Sequence, residues 1–336
     1  MFPLFLPLKF RFRAAKNSTF VIPQERIVVS QDLRKTKSQR LGGWSEDVHL
    51  LLSDDFFKSQ KSLISRGQKF LITTDFFFVV RVEDEDEQDV SLFISASNTK
   101  TYKFRSIVLP TGDKLYERSY VILDTSEGQV FLHVNHERMK SKYGTIYISD
   151  STGIRYSLSL RNNVRTMDDL SDFESVQGLE GIFFANAYDG KAIQKTKNEW
   201  KSKDEDIPAE NKRKIGKDGS KVIPNKRMQD LDAFKVSYMT WDKGGMWERI
   251  TPPKFDADGD RIECEDKDCS LHLHSLSNPS FGPFYTTENS LGLIMGTGNV
   301  GKYLSNKEDE VNTYLSRDGG ITWYEVSNYF LEFIEN

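Results

Sequence analysis

Cysteine is scarce, since Cys264 and Cys269 are the two in 336 residues. A zinc site needs two further Cys or His ligands. His272 and His274 follow closely, but in "SLHLH" they occupy alternate positions of a strand, where a structural role accounts for them as well. The pair in "CEDKDC" is therefore read as a local disulfide, which implies an oxidising compartment. Charge of one sign is also lacking: 46 basic and 50 acidic residues leave a formal net charge of −4. That balance argues against an electrostatic nucleic-acid binder. Long apolar runs are missing too. "FLITTDFFFVVRV" is broken by charge well short of the roughly 20 residues a membrane helix requires. "MFPLFLPLKFRFRAA" has prolines in its apolar run and its basic residues after it, the reverse of a signal peptide. No stretch keeps a helical period beyond one or two turns, which disfavours a nucleotide-binding crossover. "GTGNVG", Gly296–Gly301, accordingly reads as a turn, because "KYLSNKEDE" and not a helix follows it.

What is present is β pattern. "DVHLLLS", "FFFVVRV", "SLFIS", "SYVILD", "QVFLHV", "GTIYIS", "GIFFANA", "FKVSYMT", "SLGLIMG" and "NTYLS" are short, rich in β-branched and aromatic residues, and bounded by turn residues. They predict an all-β protein of many antiparallel strands. One segment departs from this. From Lys191 to Asp230 the chain carries twelve Lys or Arg against seven Asp or Glu, too polar to supply a buried strand. A solvated insertion is expected there, over 188–230, with partner docking as its alternative role.

A polar frame recurs at the strand ends. It is most complete in "SRDGGITW" (Ser316, Asp318, Gly320, Thr322, Trp323) and "TWDKGGMW" (Thr240, Asp242, Gly244, Trp247). Degenerate copies start at Ser53, with Asp55, at Ser95 and at Ser149. The starts are 42, 54, 91 and 76 residues apart, the spacing of four-stranded propeller blades lengthened by insertions. At a hairpin corner Asp accepts nearby backbone N–H groups, Gly supplies positive φ, and Trp buries about 150–250 Å². A carboxylate used this way in every blade cannot converge on one reaction centre. No catalytic residue, metal or cofactor is expected.

The frame is the Asp-box of sialidases and of several non-enzymatic propellers. Taken in order, "GTIYISDSTGIRYSLSL", "LEGIFFANA", "MTWDKGGMWERITPP", "CSLHLH", "LGLIMGTGNVGKYL" and "YLSRDGGITWYEV" resemble the second half of the sortilin-family propeller. The nearest resemblance is to fungal vacuolar protein sorting receptors. It implies about five blades of a ten-bladed β-propeller over 45–326, preceded by a ragged segment or partial blade, 1–44, and followed by a tail, 327–336. It also implies a Cys264–Cys269 bridge, and a lumenal Golgi or endosome setting to which the sequon at Asn17 adds support. The implied partners are peptide or protein cargo, such as soluble vacuolar hydrolases. The family's cysteine modules, membrane helix and sorting tail lie outside these residues, so membrane association would come through those parts. In the family, cargo meets inner strands, often through a basic side chain. Arg81 is the candidate here, although an acidic run follows it and a solvated strand end is its alternative. A sialidase-type hydrolase is the competing function and would need an arginine cluster and a Tyr–Glu nucleophile pair. Arg81, Arg105, Arg118, Arg155 and Arg161 are scattered instead. A fragment without independent function is the third reading.

Overall fold

The computed structural model describes residues 27–32, 44–97, 99, 101–136, 141–166, 168, 170–205, 231–264, 268–282 and 284–326. Asn17, the tail 327–336 and the insertion beyond Glu205 lie outside them. The described chain is all-β apart from one α-helix and three short 3-10 turns. No helix among these residues is long and apolar enough to cross a membrane. Two compact units divide at Ser106/Ile107.

In the first unit, β1 (Ile27–Asp32), β2 (Val48–Ser53) and β3 (Lys61–Ile64) form one antiparallel meander. A second runs β4 (Gly67–Ile72), β5 (Phe76–Asp84), β6 (Asp89–Ala96) and β7 (Arg105–Ser106). Leu50, Phe77 and Val79 are fully buried at the centre, with Phe70, Tyr102 and Phe104 against them. Phe77 meets Tyr102 and Phe104 edge-on at 4.9 and 5.1 Å between ring centroids, a favoured aromatic geometry.

The second unit opens with the short β8 (Leu115–Tyr116) and continues through three blades. The first contains β9 (Tyr120–Asp124), β10 (Phe131–Val134), β11 (Tyr143–Ser149) and β12 (Tyr156–Val164). The next contains β13 (Phe173–Ser175), β14 (Phe183–Tyr188), β15 (Lys235–Thr240) and β16 (Glu248–Arg249). A single pair, Asn163 opposite Ala187, joins these two blades into one sheet. The last is β17 (Ser270–Leu273), β19 (Ile294–Gly301), β20 (Asn312–Ser316) and β21 (Tyr324–Val326), with β18 (Tyr285–Thr286) beside β19. Five successive meanders, four of them four-stranded, make the partial propeller. The corners at Ser95, Ser149, Thr240 and Ser316 each follow the third strand of a blade, and the corner at Ser53 follows β2. Cores lie between blades: Phe131, Phe183 and Ala185 in one, and Phe184, Met239, Leu273, Tyr314 and Trp323 in the next.

The expectation of a wholly solvated insertion is corrected at its start, where Gly190–Glu205 is a four-turn helix, α1. Asp189 accepts the Lys191 N–H at 2.8 Å as an N-cap. Ala192, Ile193 and Thr196 are buried, with Ile193 packed on Val164, Tyr188 and Leu231. Five lysines interleave with these positions and obscure a helical period in the sequence.

Candidate functional site

Three of the five corners share one hydrogen-bond arrangement. The hydroxyls of Ser53, Thr240 and Ser316 donate to Asp55, Asp242 and Asp318 at 2.8, 2.7 and 2.9 Å. The same oxygens accept the N–H groups of Phe57, Gly244 and Gly320 at 2.8, 3.1 and 2.9 Å. Each carboxylate then accepts the N–H four residues further on, from Ser59, Met246 and Thr322, at 2.9 Å in every case. Thr322 adds its hydroxyl to Asp318.

These bonds set the carboxylates' charge. The backbone N–H of Met246 and the hydroxyl of Thr240 hold Asp242 below the usual carboxylate range. At Asp318 partial burial acts to raise the pKa, but hydrogen bonds from Thr322, Ser316 and Ile321 outweigh it and the net shift is downward. Both aspartates are thus ionised acceptors committed to their own turns. Trp323, 4% exposed, donates its indole N–H to Gly320 O at 2.9 Å. Trp247 donates to Ser159 Oγ in the preceding blade, also at 2.9 Å, so each aromatic ties a corner into the packing.

The turn places two successive residues at positive φ: Phe56 and Phe57 (55° and 63°), Lys243 and Gly244 (61° and 84°), Gly319 and Gly320 (72° and 89°). Glycine meets a second demand at 244 and 320. A Cβ on Gly244 would lie 2.7 Å from the Phe131 ring, and one on Gly320 2.5 Å from Met239 Sδ. At the Ser53 corner, Phe56 and Phe57 are 67% and 38% exposed, so side chains fit but the backbone strain remains.

The other two corners are built differently. Ser149 does not start the frame: its hydroxyl accepts Val130 N–H and donates to Asp150 O, both at 2.8 Å. Asp150, one residue earlier than the frame requires, takes the N–H groups of Thr152 and Ile154, and Gly153 alone has positive φ. An acidic residue directly after Ser149 closes a tighter turn before Ser151 can act. Ser95 likewise accepts Lys103 N–H instead of capping its own turn.

Arg81 stands on β5, the second strand of its blade and not the first. Its guanidinium grips Glu83 with two hydrogen bonds, 2.9 and 2.8 Å, and lies 4.6 Å over the Phe93 ring. The side chain expected to receive a cargo carboxylate is thus engaged by a carboxylate two residues along the same strand.

His272 and His274 are buried. His272 Nδ1 accepts Ser237 N–H at 3.1 Å while Nε2 faces Gly301 O at 3.1 Å, and burial pushes its pKa down to about 4. His274 stacks on Phe281 at 4.2 Å and is lowered to about 4, again by burial first. They belong to a polar seam between the last two blades that sequence reasoning missed. There the buried Asp172 accepts the N–H and hydroxyl of Ser277, both at 2.7 Å, and Asn186 Nδ2 at 3.0 Å. Burial raises its pKa, with Lys235 opposing. The stem of the insertion is clamped on the same unit. Lys142 and Tyr188 bond Asp232 at 2.5 and 2.8 Å, and Tyr303 donates to Asp189 at 3.0 Å. Isolated Asp and Tyr residues far apart in sequence carry no signal of such a clamp. Cys264 and Cys269 are bonded, their Cα atoms 5.7 Å apart, in the connection from β16 to β17.

The Sortilin–Vps10 family model (Sortilin, neurotensin receptor 3) matches residues 9–207 and 213–333. "Vacuolar protein sorting/targeting protein 10" of Aspergillus fumigatus is 33% identical over 291 residues, covering 83% of this chain and 17% of its own length. The Debaryomyces hansenii protein of that name is 26% identical over 294 residues, 84% of this chain and 16% of its own. This chain therefore spans about a sixth of the curated relatives it matches. Among solved structures, the β-propeller domain of the Trilobed protease from Pyrococcus furiosus covers 84% of this chain and 62% of its own at 8% identity. Its TM-score of 0.31 is too low to bear on the fold. The family match extends over nearly the whole chain and includes the framed corners, the bridged cysteines and the insertion stem: the chain belongs to the sortilin–Vps10 family.

Proposed function

We propose that this chain is a non-enzymatic, cargo-binding propeller region of a sortilin-type receptor, one that sorts soluble proteins from the Golgi to the endosome or vacuole. The family match over 9–207 and 213–333 carries the reading. The fold supports it: the frame carboxylates are spent on backbone donors and the histidines of "SLHLH" on the interblade seam. The Cys264–Cys269 bridge suits an oxidising lumen. Cargo is soluble vacuolar hydrolases, and anchorage to the membrane belongs to other parts of the receptor.

The test is binding of the purified chain to a panel of soluble vacuolar hydrolases from a fungal host, measured by surface plasmon resonance. Saturable binding that Arg81→Ala leaves within about twofold, under ~0.4 kcal/mol, is expected. A folded chain that binds none of the panel would overturn the cargo assignment. Turnover of a fluorogenic sialoside above buffer would overturn the non-enzymatic one.

A further inference from the structure

We infer that the stem of the insertion is a strap that binds three successive blades of the second unit at one rim, so that a load on the insertion reaches all three. The connections from second to third strand meet there: β10 to β11, β14 to β15 and β19 to β20. Each contributes one part of the contact. Lys142 comes from the first connection, Asp189 and Asp232 stand near the two ends of the second, which carries the insertion, and Tyr303 belongs to the third.

The two aspartates are the pins. Asp232 receives Lys142 Nζ from the preceding blade at 2.5 Å and the Tyr188 hydroxyl from its own at 2.8 Å, with Lys235 Nζ 3.8 Å away. The side chains of Lys142 and Asp232 are 20% and 33% exposed, so solvent screens this charge-assisted bond only in part. Asp189 receives the Tyr303 hydroxyl from the following blade at 3.0 Å. Tyr303 also meets Phe234 edge-on at 5.2 Å between ring centroids, and Leu304 N–H donates to Lys235 O at 2.9 Å. The preceding blade thus holds one end of the insertion and the following blade the other.

The ends are also tied to each other. Asp189 N–H donates to Phe234 O at 2.9 Å, so the insertion leaves and returns at one point. Asp189 caps α1, and Ile193 N–H donates to Asp189 O at 3.0 Å. Ile193 in turn packs on Val164 at the end of β12, on Tyr188 and on Leu231. One carboxylate therefore serves as helix cap and as interblade pin, which couples the first turn of α1 to the following blade. A hydrogen-bond network with shared members responds as a unit when one is removed. The blade's own sheet does not depend on these contacts, since β14 pairs with β15 from Phe183–Thr240 to Tyr188–Lys235 without them.

Hydrogen exchange on the full chain tests the inference. Lys142→Met/Tyr303→Phe removes one partner from each neighbouring blade and leaves the insertion and its own blade unaltered. Amides in the first turn of α1, Ile193 among them, should exchange at least about tenfold faster, with the Ser316 corner and the β5–β6 hairpin unchanged. Unaltered exchange at α1 would overturn the proposal. So would faster exchange confined to residues 142–143 and 302–304, which would make the contacts local to each connection. Should the double variant unfold, Tyr303→Phe alone decides, because it keeps the ring against Phe234. It should speed Ile193 exchange about threefold, and an unchanged rate in that folded variant would overturn the proposal as well.

Discussion

Gly320→Ala isolates what holds a corner. Gly320 lies at φ 89°, where an L-residue costs about 1–2 kcal/mol. Its added Cβ would sit 2.5 Å from Met239 Sδ, in a core where Met239 is fully buried. Forcing such a side chain aside costs about 1–3 kcal/mol, and lower entropy of the unfolded chain returns about 0.4–1 kcal/mol. The expected net loss is about 1.5–4 kcal/mol. Urea unfolding followed by tryptophan fluorescence would measure it, Trp323 being buried beside the mutated residue. Hydrogen exchange at β20 would confirm that the last blade is the part affected. In a Met239→Ala background the clash disappears and only the backbone penalty remains, about 1 kcal/mol. The cycle should therefore show coupling of about 1–3 kcal/mol. An equal cost in both backgrounds would refute the packing argument, and no cost in either would refute the conformational one as well.

Asp318→Ala removes the acceptor for two backbone N–H groups and two hydroxyls, and should cost about 1–3 kcal/mol by urea titration without selective loss of cargo binding. His272 and His274 have folded pKa values near 4, and His133, fully buried, near 3. A histidine with a depressed folded pKa contributes stability above its unfolded value of about 6.5 and loses it as pH falls. The urea midpoint should therefore drop between about pH 6.5 and 4, partly offset by Asp172, whose raised pKa acts in the opposite direction. A midpoint that rises across that range would contradict the buried neutral assignment. Replacing Cys264 and Cys269 by serine opens a six-residue loop and should lower stability by up to about 2 kcal/mol, visible as the same thermal shift that a reductant gives the native chain.

The all-β class and two of the three framed corners were legible because their causes are local. Ser or Thr, Asp and Gly within five residues suffice to close the hydrogen bonds, whatever packs nearby. The Ser53 corner was harder to read, since it makes the same hydrogen bonds but Phe56 and Phe57 stand where glycine is the usual marker. Ser149 deceived for the opposite reason: the letters fit loosely, and Asp150 closes a different turn. Helix α1 was hidden because the buried positions among its described side chains, Ala192, Ile193 and Thr196, stand between lysines and leave no period in the sequence.

By itself the sequence determined the strand pattern, the spacing of the blades and the family, all of which rest on short-range chemistry or on ordered motifs. Tertiary structure alone decided that Arg81 spends its guanidinium on Glu83 and that His272 and His274 belong to a seam with Ser237 and Phe281. It alone decided that Gly244 and Gly320 are required by Phe131 and Met239 as well as by their own φ. These outcomes depend on atoms that folding brings together from tens of residues apart, and on how little room they leave. Neither the identity of a residue nor its spacing along the chain encodes that room.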